Sequence, residues 1–118
     1  MPELDPEDAK LVTLARGARL RAYAPHSGRS EGAAVRDADG RTYAGATVEN
    51  TDPTLVTSAL RAALAAAASS GARVFEAVAL VTQAPVSPAD LALLREFGIG
   101  TPLLVAGLDG TVEAVLSS

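Results

Sequence analysis

Apolar residues recur along this chain with two periods, and the changes of period mark its elements. From Pro6 to Ala22, the apolar positions Leu11, Leu14, Ala15, Ala18 and Ala22 fall three or four apart. That spacing gathers side chains on one face of a helix. Asp5-Pro6-Glu7-Asp8 stands before them. It offers an aspartate to cap, a proline suited to the first helical position, and acids at the positive end of the helix dipole. The pattern predicts an amphipathic helix over residues 6–22 with its arginines outward. Tyr23-Ala24-Pro25 ends it, because the residue before a proline avoids the helical region. The polar stretch His26 to Gly32 reads as a loop.

Two extended runs follow, Ala33 to Arg36 and Arg41 to Val48, and Asp39-Gly40 between them is a hairpin signal. The stretch Glu49-Asn50-Thr51-Asp52 leaves the second run, and Pro53 is expected to open a second helix with Thr51 or Asp52 as its cap. That helix is predicted to reach Ser70, with Gly71 closing it. Leu55, Val56, Ala59, Leu60 and the run Ala62 to Ala68 make it apolar nearly all round. Such a helix should be buried on most faces. One reading is a subunit interface, since small side chains allow close helix approach. The other is the helix-forming tendency of alanine in an alanine-rich chain.

Val74 to Thr82 is a continuous apolar run, as expected of a strand at a sheet centre. Pro85-Val86-Ser87-Pro88 leads into a third helix from Ala89 to Phe97, with Ser87 as cap, and Gly98 stops it. Pro102 to Ala106 is the next strand, Leu108-Asp109-Gly110 turns the chain, and Thr111 to Leu116 pairs back. The order is α-β-β-α-β-α-β-β. It predicts an α/β fold, a mixed five-stranded sheet covered by three helices, with right-handed crossovers between parallel strands.

Composition narrows the function classes. The 118 residues are expected to form a single domain, 1–118. No apolar run approaches the roughly 20 residues of a membrane span. The acidic start Met1-Pro2-Glu3-Leu4-Asp5 lacks the basic and apolar regions of a signal peptide, so a cytoplasmic location is expected. With no cysteine, disulfides and thiolate metal sites are excluded, and His26 is the single histidine. A net charge of −4, with two Tyr and two Phe, argues against a nucleic-acid partner. Nine of the ten basic residues are Arg and alanine abounds. That matches the codon usage of a GC-rich bacterium and carries no functional information.

Several segments, taken in order, resemble the cytidine deaminase family of small tetrameric nucleoside deaminases. Ala22-Tyr23-Ala24-Pro25-His26-Ser27 resembles the family's A-Y-A-P-Y-S, and Gly32-Ala33-Ala34 its V-G-A-A. Gly45-Ala46-Thr47-Val48-Glu49-Asn50 resembles G-C-N-V-E-N. Ala84-Pro85-Val86-Ser87-Pro88 resembles the segment before the second metal motif, while Glu96-Phe97-Gly98 and Leu108-Asp109-Gly110 match E-F-G and L-D-G. The resemblance covers nearly the whole chain. It implies the family's three-layer αβα sandwich and a homo-oligomer, a dimer or tetramer.

The same resemblance assigns the catalytic positions, and there the residues depart. The family's C-A-E-R or H-A-E-R falls on Ser58-Ala59-Leu60-Arg61. Its P-C-x-x-C falls on Pro88-Ala89-Asp90-Leu91-Ala92. The zinc-ligand positions are thus Ser58, Ala89 and Ala92, and the proton-shuttle position is Leu60. In the family the zinc lowers the pKa of a bound water and the glutamate moves the protons. An alanine cannot ligate zinc and a leucine cannot carry a proton. The third helix also reads about two residues shorter than the family's.

Other positions are weighed in the same way. Glu49 matches the ribose-binding glutamate, and its asparagine companion is Thr47. Glu49 is expected to pair internally with Arg61, which in the family lies beside the thiolates, because a buried arginine needs a counter-charge. Arg29 and Glu31 are expected to form a solvated pair, and His26 to lie on the surface. Asp52 and Asp90 stand near helix starts, where the dipole alone favours acids.

Thr47, Glu49, Ser58, Leu60, Arg61, Ala89 and Ala92 therefore read as a vestigial pocket with no catalytic, cofactor or metal residue. Three functions follow. The first is a homo-oligomeric protein without zinc or deamination that serves a structural or regulatory role through a protein partner or a bound small molecule. The second is a nucleoside-binding module. The third is a deaminase with an atypical site drawn from Glu49, Asp90 and His26.

Overall fold

The computed structural model describes residues 4–118, so the acidic start at Met1 to Glu3 lies outside the described residues. The elements are α1 (Pro6–Arg19), β1 (Gly32–Asp37), β2 (Thr42–Ala46), a short 3₁₀ turn (Pro53–Leu55), α2 (Ala59–Ser69), β3 (Phe75–Val81), α3 (Pro88–Arg95), β4 (Pro102–Ala106) and β5 (Val112–Ser117). One mixed sheet runs β2-β1-β3-β4-β5. Only β3 and β4 are parallel, joined by the α3 crossover, and the other neighbours are antiparallel. This is the αβα sandwich with the element order that the sequence implies.

Strand alternation feeds the two faces of the sheet. On one face Ala34, Ala77, Ala79, Val81, Leu104 and Ala106 meet Leu11, Val12 and Ala15 of α1. On the other, Ala33, Val35, Val78, Leu80 and Leu103 meet Ala59, Leu60, Ala63, Leu64 and Ala67 of α2 and Leu94 of α3. Six of the seven β3 residues are buried, which is why that run shows no polar alternation. Phe75 and Phe97 stack with ring centroids 4.6 Å apart below α3.

Two glycines allow the helices to lie close on the sheet. A Cβ at Gly45 of β2 would sit 2.4 Å from the Ala63 backbone nitrogen, and one at Gly32 would sit 2.1 Å from the Ala15 carbonyl oxygen. Charge ties the edges. Arg36 of β1 donates to Asp8 of α1 and to Glu76 of β3, each at 2.9 Å. Asp37, at the end of β1, accepts from the backbone N–H of Asp39 and Arg41 and from the Tyr43 hydroxyl. These bonds pin the hairpin. Burial pushes the Asp37 carboxyl up, but the Arg41 N–H and Tyr43 hydroxyl outweigh it and hold the group below its ordinary value.

Helix boundaries differ from the periodicity. The first helix ends at Arg19 instead of Ala22. Leu20, Arg21 and Ala22 donate to carbonyls three residues back, and Tyr23 N–H turns away to the Thr47 carbonyl. The second helix starts at Ala59, not Pro53. Asp52 caps only the 3₁₀ turn, through Thr54, and Val48 and Thr57 then exchange backbone bonds at 2.9 Å that hold the chain extended. Ser58 is the true cap of α2. The helix is also less enclosed than expected, with Arg61, Ala65 and Ser69 exposed. The third helix runs from Pro88 to Arg95, and Ser87 stands at its start without donating or accepting a side-chain cap bond.

Candidate functional site

A cavity of about 280 Å³ opens where the His26–Glu31 loop, the end of β2, the start of α2, the segment after β3 and the first turn of α3 converge. Its rim is polar, with Ser27, Arg29, Glu31, Thr47, Glu49, Ser58 and Asp90. Its floor is apolar, with Leu60, Leu80, Val56 and Val86. Leu60 is 1% exposed and fills the floor against the α2–sheet core.

Most rim groups have a local partner. The Ser58 hydroxyl oxygen accepts from the Arg61 N–H at 3.1 Å and so serves as the α2 cap. Thr47 is buried, and its hydroxyl oxygen accepts from the Glu31 N–H at 3.1 Å. Glu49 Oε1 accepts from the backbone N–H of His26 at 2.8 Å and of Ser27 at 3.1 Å, and Oε2 accepts from the Ser27 hydroxyl. The Ser27 hydroxyl first, then the two N–H groups, hold the Glu49 carboxyl below its ordinary value. Glu31 accepts from the Thr82 hydroxyl at the end of β3.

Arg61 does not meet Glu49. Its Nε donates to Asp90 Oδ1 at 3.1 Å, joining the first turn of α2 to the first turn of α3. The Asp90 side chain is 10% exposed and that of Arg61 50%. The expected Glu49–Arg61 pair is therefore replaced on both sides: the loop amides satisfy Glu49, and Asp90 satisfies Arg61. The expected Arg29–Glu31 pair is also absent from the ion pairs of the described residues, since Glu31 turns inward to Thr82. His26 is exposed, as expected.

The seven positions singled out from the sequence divide between two depressions. Thr47, Glu49, Ser58 and Leu60 line the cavity. Arg61, Ala89 and Ala92 line a separate, more open apolar groove between α2 and α3, with Leu64, Leu93 and Phe97. Among the described residues, no three of His, Cys, Asp or Glu gather into a group that could hold a metal. Sequence reasoning missed Ser27, Thr82 and the partnership of Asp90. Asp90 had a signal: an acid inside the second motif faces an arginine inside the first, whose thiolate neighbours in the family fall on alanines in this chain.

Comparison with known proteins agrees with the fold and with the family that the sequence resembles. The family described as cytidine deaminase-like matches residues 4–110. A cytidine deaminase of Sporosarcina psychrophila is 37% identical over 109 residues, covering 88% of this chain and 80% of that protein. Among solved structures, the cytidine deaminase of Burkholderia pseudomallei is 35% identical with a TM-score of 0.83, covering 92% of this chain and 90% of the other. That of Mycobacterium tuberculosis is 30% identical with a TM-score of 0.77, covering 86% and 85%.

Proposed function

The chain belongs to the cytidine deaminase-like family, and within it we propose a member that has lost zinc binding and deamination and serves a structural or regulatory role as a homo-oligomer. One observation carries the reading: Leu60, 1% exposed, forms the cavity floor at the position that the resemblance gives to the proton-moving glutamate. Hydrolytic deamination needs a group there that takes a proton from water and returns it to the leaving amine. A leucine can do neither.

The donor set does not fit a zinc ion either. The Ser58 oxygen is occupied as a helix cap, and Ala89 and Ala92 offer methyl groups along the neighbouring groove. Structural zinc is worth on the order of 10 kcal/mol in binding free energy, and it comes from thiolate and imidazole donors that are missing from these positions. The homo-oligomer rests on the apolar groove between α2 and α3, where small side chains admit a close neighbour. The test is to purify the chain, measure its metal content and incubate it with cytidine. No zinc and no uridine are expected. Stoichiometric zinc with turnover overturns the proposal.

A nucleoside-binding module without chemistry is the second reading. The cavity volume and the retained Glu49 favour it. The three hydrogen bonds that the loop already gives Glu49 weigh against it, because a sugar hydroxyl would compete with them. Calorimetry with cytidine, uridine and their nucleotides decides it, and no heat at millimolar ligand removes it. An atypical catalytic set of Glu49, Asp90 and His26 has less support. Glu49 and Asp90 share the cavity rim, but His26 reaches Glu49 through its backbone N–H.

A further inference from the structure

Arg61 and Asp90 stand in the two motifs that the family uses to hold its metal, and they are bonded to each other across the gap between α2 and α3. We infer that this ion pair takes over the tethering role of the metal, joining the first turns of the two helices and making the fold independent of zinc. The inference rests on the proposed loss of the metal and goes further, assigning the replacement to two residues of this chain.

Three observations support it. Asp90 is a charged side chain with 10% exposure at the start of a helix whose own cap residue, Ser87, makes no side-chain cap bond. A carboxylate in the first turn is favoured by the dipole, yet so buried a charge also needs a counter-ion, and Arg61 is the cation within reach. Beyond the Leu94 contact with the core, α2 and α3 are separated by an open apolar groove, with Ala65 and Ala68 on one side and Ala89 and Ala92 on the other, so the helices are not close-packed along it. Finally, Arg61 is itself fixed at the helix start, because its backbone N–H donates to the Ser58 cap. Cap, arginine and aspartate form one continuous chain of bonds from α2 to α3.

The burial asymmetry gives the pair a signature. Removing the arginine strands a buried carboxylate, whereas removing the aspartate charge leaves a half-exposed guanidinium that water can solvate. The experiment is thermal unfolding of the purified full chain with and without a chelator, for the parent, R61M, D90N and R61M/D90N. The chelator is expected to leave every Tm unchanged. R61M should lower Tm by about 4 °C or more, the shift that even a modest loss of stability produces in a domain of this size. D90N should lower it less, and the double variant should unfold above R61M. If R61M does not fold, adding D90N must restore folding.

Additive losses in the two single variants, or a double variant no better than R61M, overturn the tether while leaving the metal-free reading in place. A chelator-dependent fall in the parent Tm overturns both. Metal content measured on the same samples separates the two failures.

Discussion

The Ser27 hydroxyl donates to the Glu49 carboxylate, and the Ser27 N–H donates to the same group at 3.1 Å. A position that the family resemblance gives to ribose binding is thus engaged by the chain's own loop. Glu49 holds Ala24-Pro25-His26-Ser27 against the end of β2, where Tyr23 and Val48 already form a bridge.

Stability should fall with acid through this group. The Glu49 carboxyl is held below its ordinary value in the folded state. Its contribution is therefore complete above the unfolded value and is lost as pH falls through the depressed folded one. Chemical unfolding of the parent and E49Q should differ by a constant amount above the ordinary carboxylate range, and the difference should shrink as pH falls through that range and vanish only below the depressed folded value. A pH-independent difference would show that Glu49 acts through shape and not through charge.

Gly45 should not tolerate alanine. The added methyl would meet the α2 backbone at Ala63, which has no flexible end to move aside. Overpacking of this kind costs about 1–3 kcal/mol. Denaturant titration should show G45A unfolding at lower midpoint with an unchanged slope. G17A, whose new methyl meets nothing within 4 Å, is the control and should be neutral or stabilising.

Arg36 should matter more than either acid that it holds. Its side chain is 11% exposed, between Asp8 at 26% and Glu76 at 53%. The partners hold its guanidinium above the ordinary arginine value despite the opposing effect of burial. R36M removes both pairs and should cost about 1–3 kcal/mol, less than a fully buried pair would, because the acids are partly hydrated. E76Q, at the exposed end, should cost under about 1 kcal/mol. Equal losses in the two variants would sink this ranking.

On the proposed reading, placing a glutamate at position 60 should not produce catalysis. L60E would place a carboxylate in a core position with 1% exposure, and Ala89 and Ala92 would still lack donors. Destabilisation of several kcal/mol is expected from the buried charge, with no cytidine turnover. Measurable turnover in L60E would show that the remaining groups suffice for deamination. L60A, by comparison, opens a cavity and should cost about 2–5 kcal/mol.

The fold was legible because both periods are strong. The β3 run, continuously apolar and short, read as a strand at the sheet centre, and Asp39-Gly40 and Asp109-Gly110 placed the turns. What periodicity could not show was the start of α2. Pro53 and Asp52 carry a helix signal that the structure uses for a single 3₁₀ turn, because the tertiary bond between Val48 and Thr57 then draws the backbone straight. In the site, residue type together with the resemblance pointed to the positions that carry the proposed loss. It did not identify which of the remaining charges would pair. Glu49 and Arg61 lie near one another in the chain, but the amides that satisfy Glu49 come from residues 26–27 and the acid that satisfies Arg61 from residue 90. Those partners are set by the sheet order and not by local spacing.

That sheet order also has a kinetic consequence. β1 pairs with β2 through a short turn, but its other edge pairs with β3, from Gly32 opposite Val81 to Asp37 opposite Phe75. Joining Asp37 to Phe75 closes a loop of roughly 40 residues that contains β2 and α2, and the entropy of such a closure rises with the logarithm of its length. The β1–β2 hairpin can form on its own, whereas the middle of the sheet must wait for α2 to bring the next strand alongside. Pulse-labelled amide exchange during refolding should therefore protect the hairpin before β3, and simultaneous protection of the two would place the closure inside a single cooperative step.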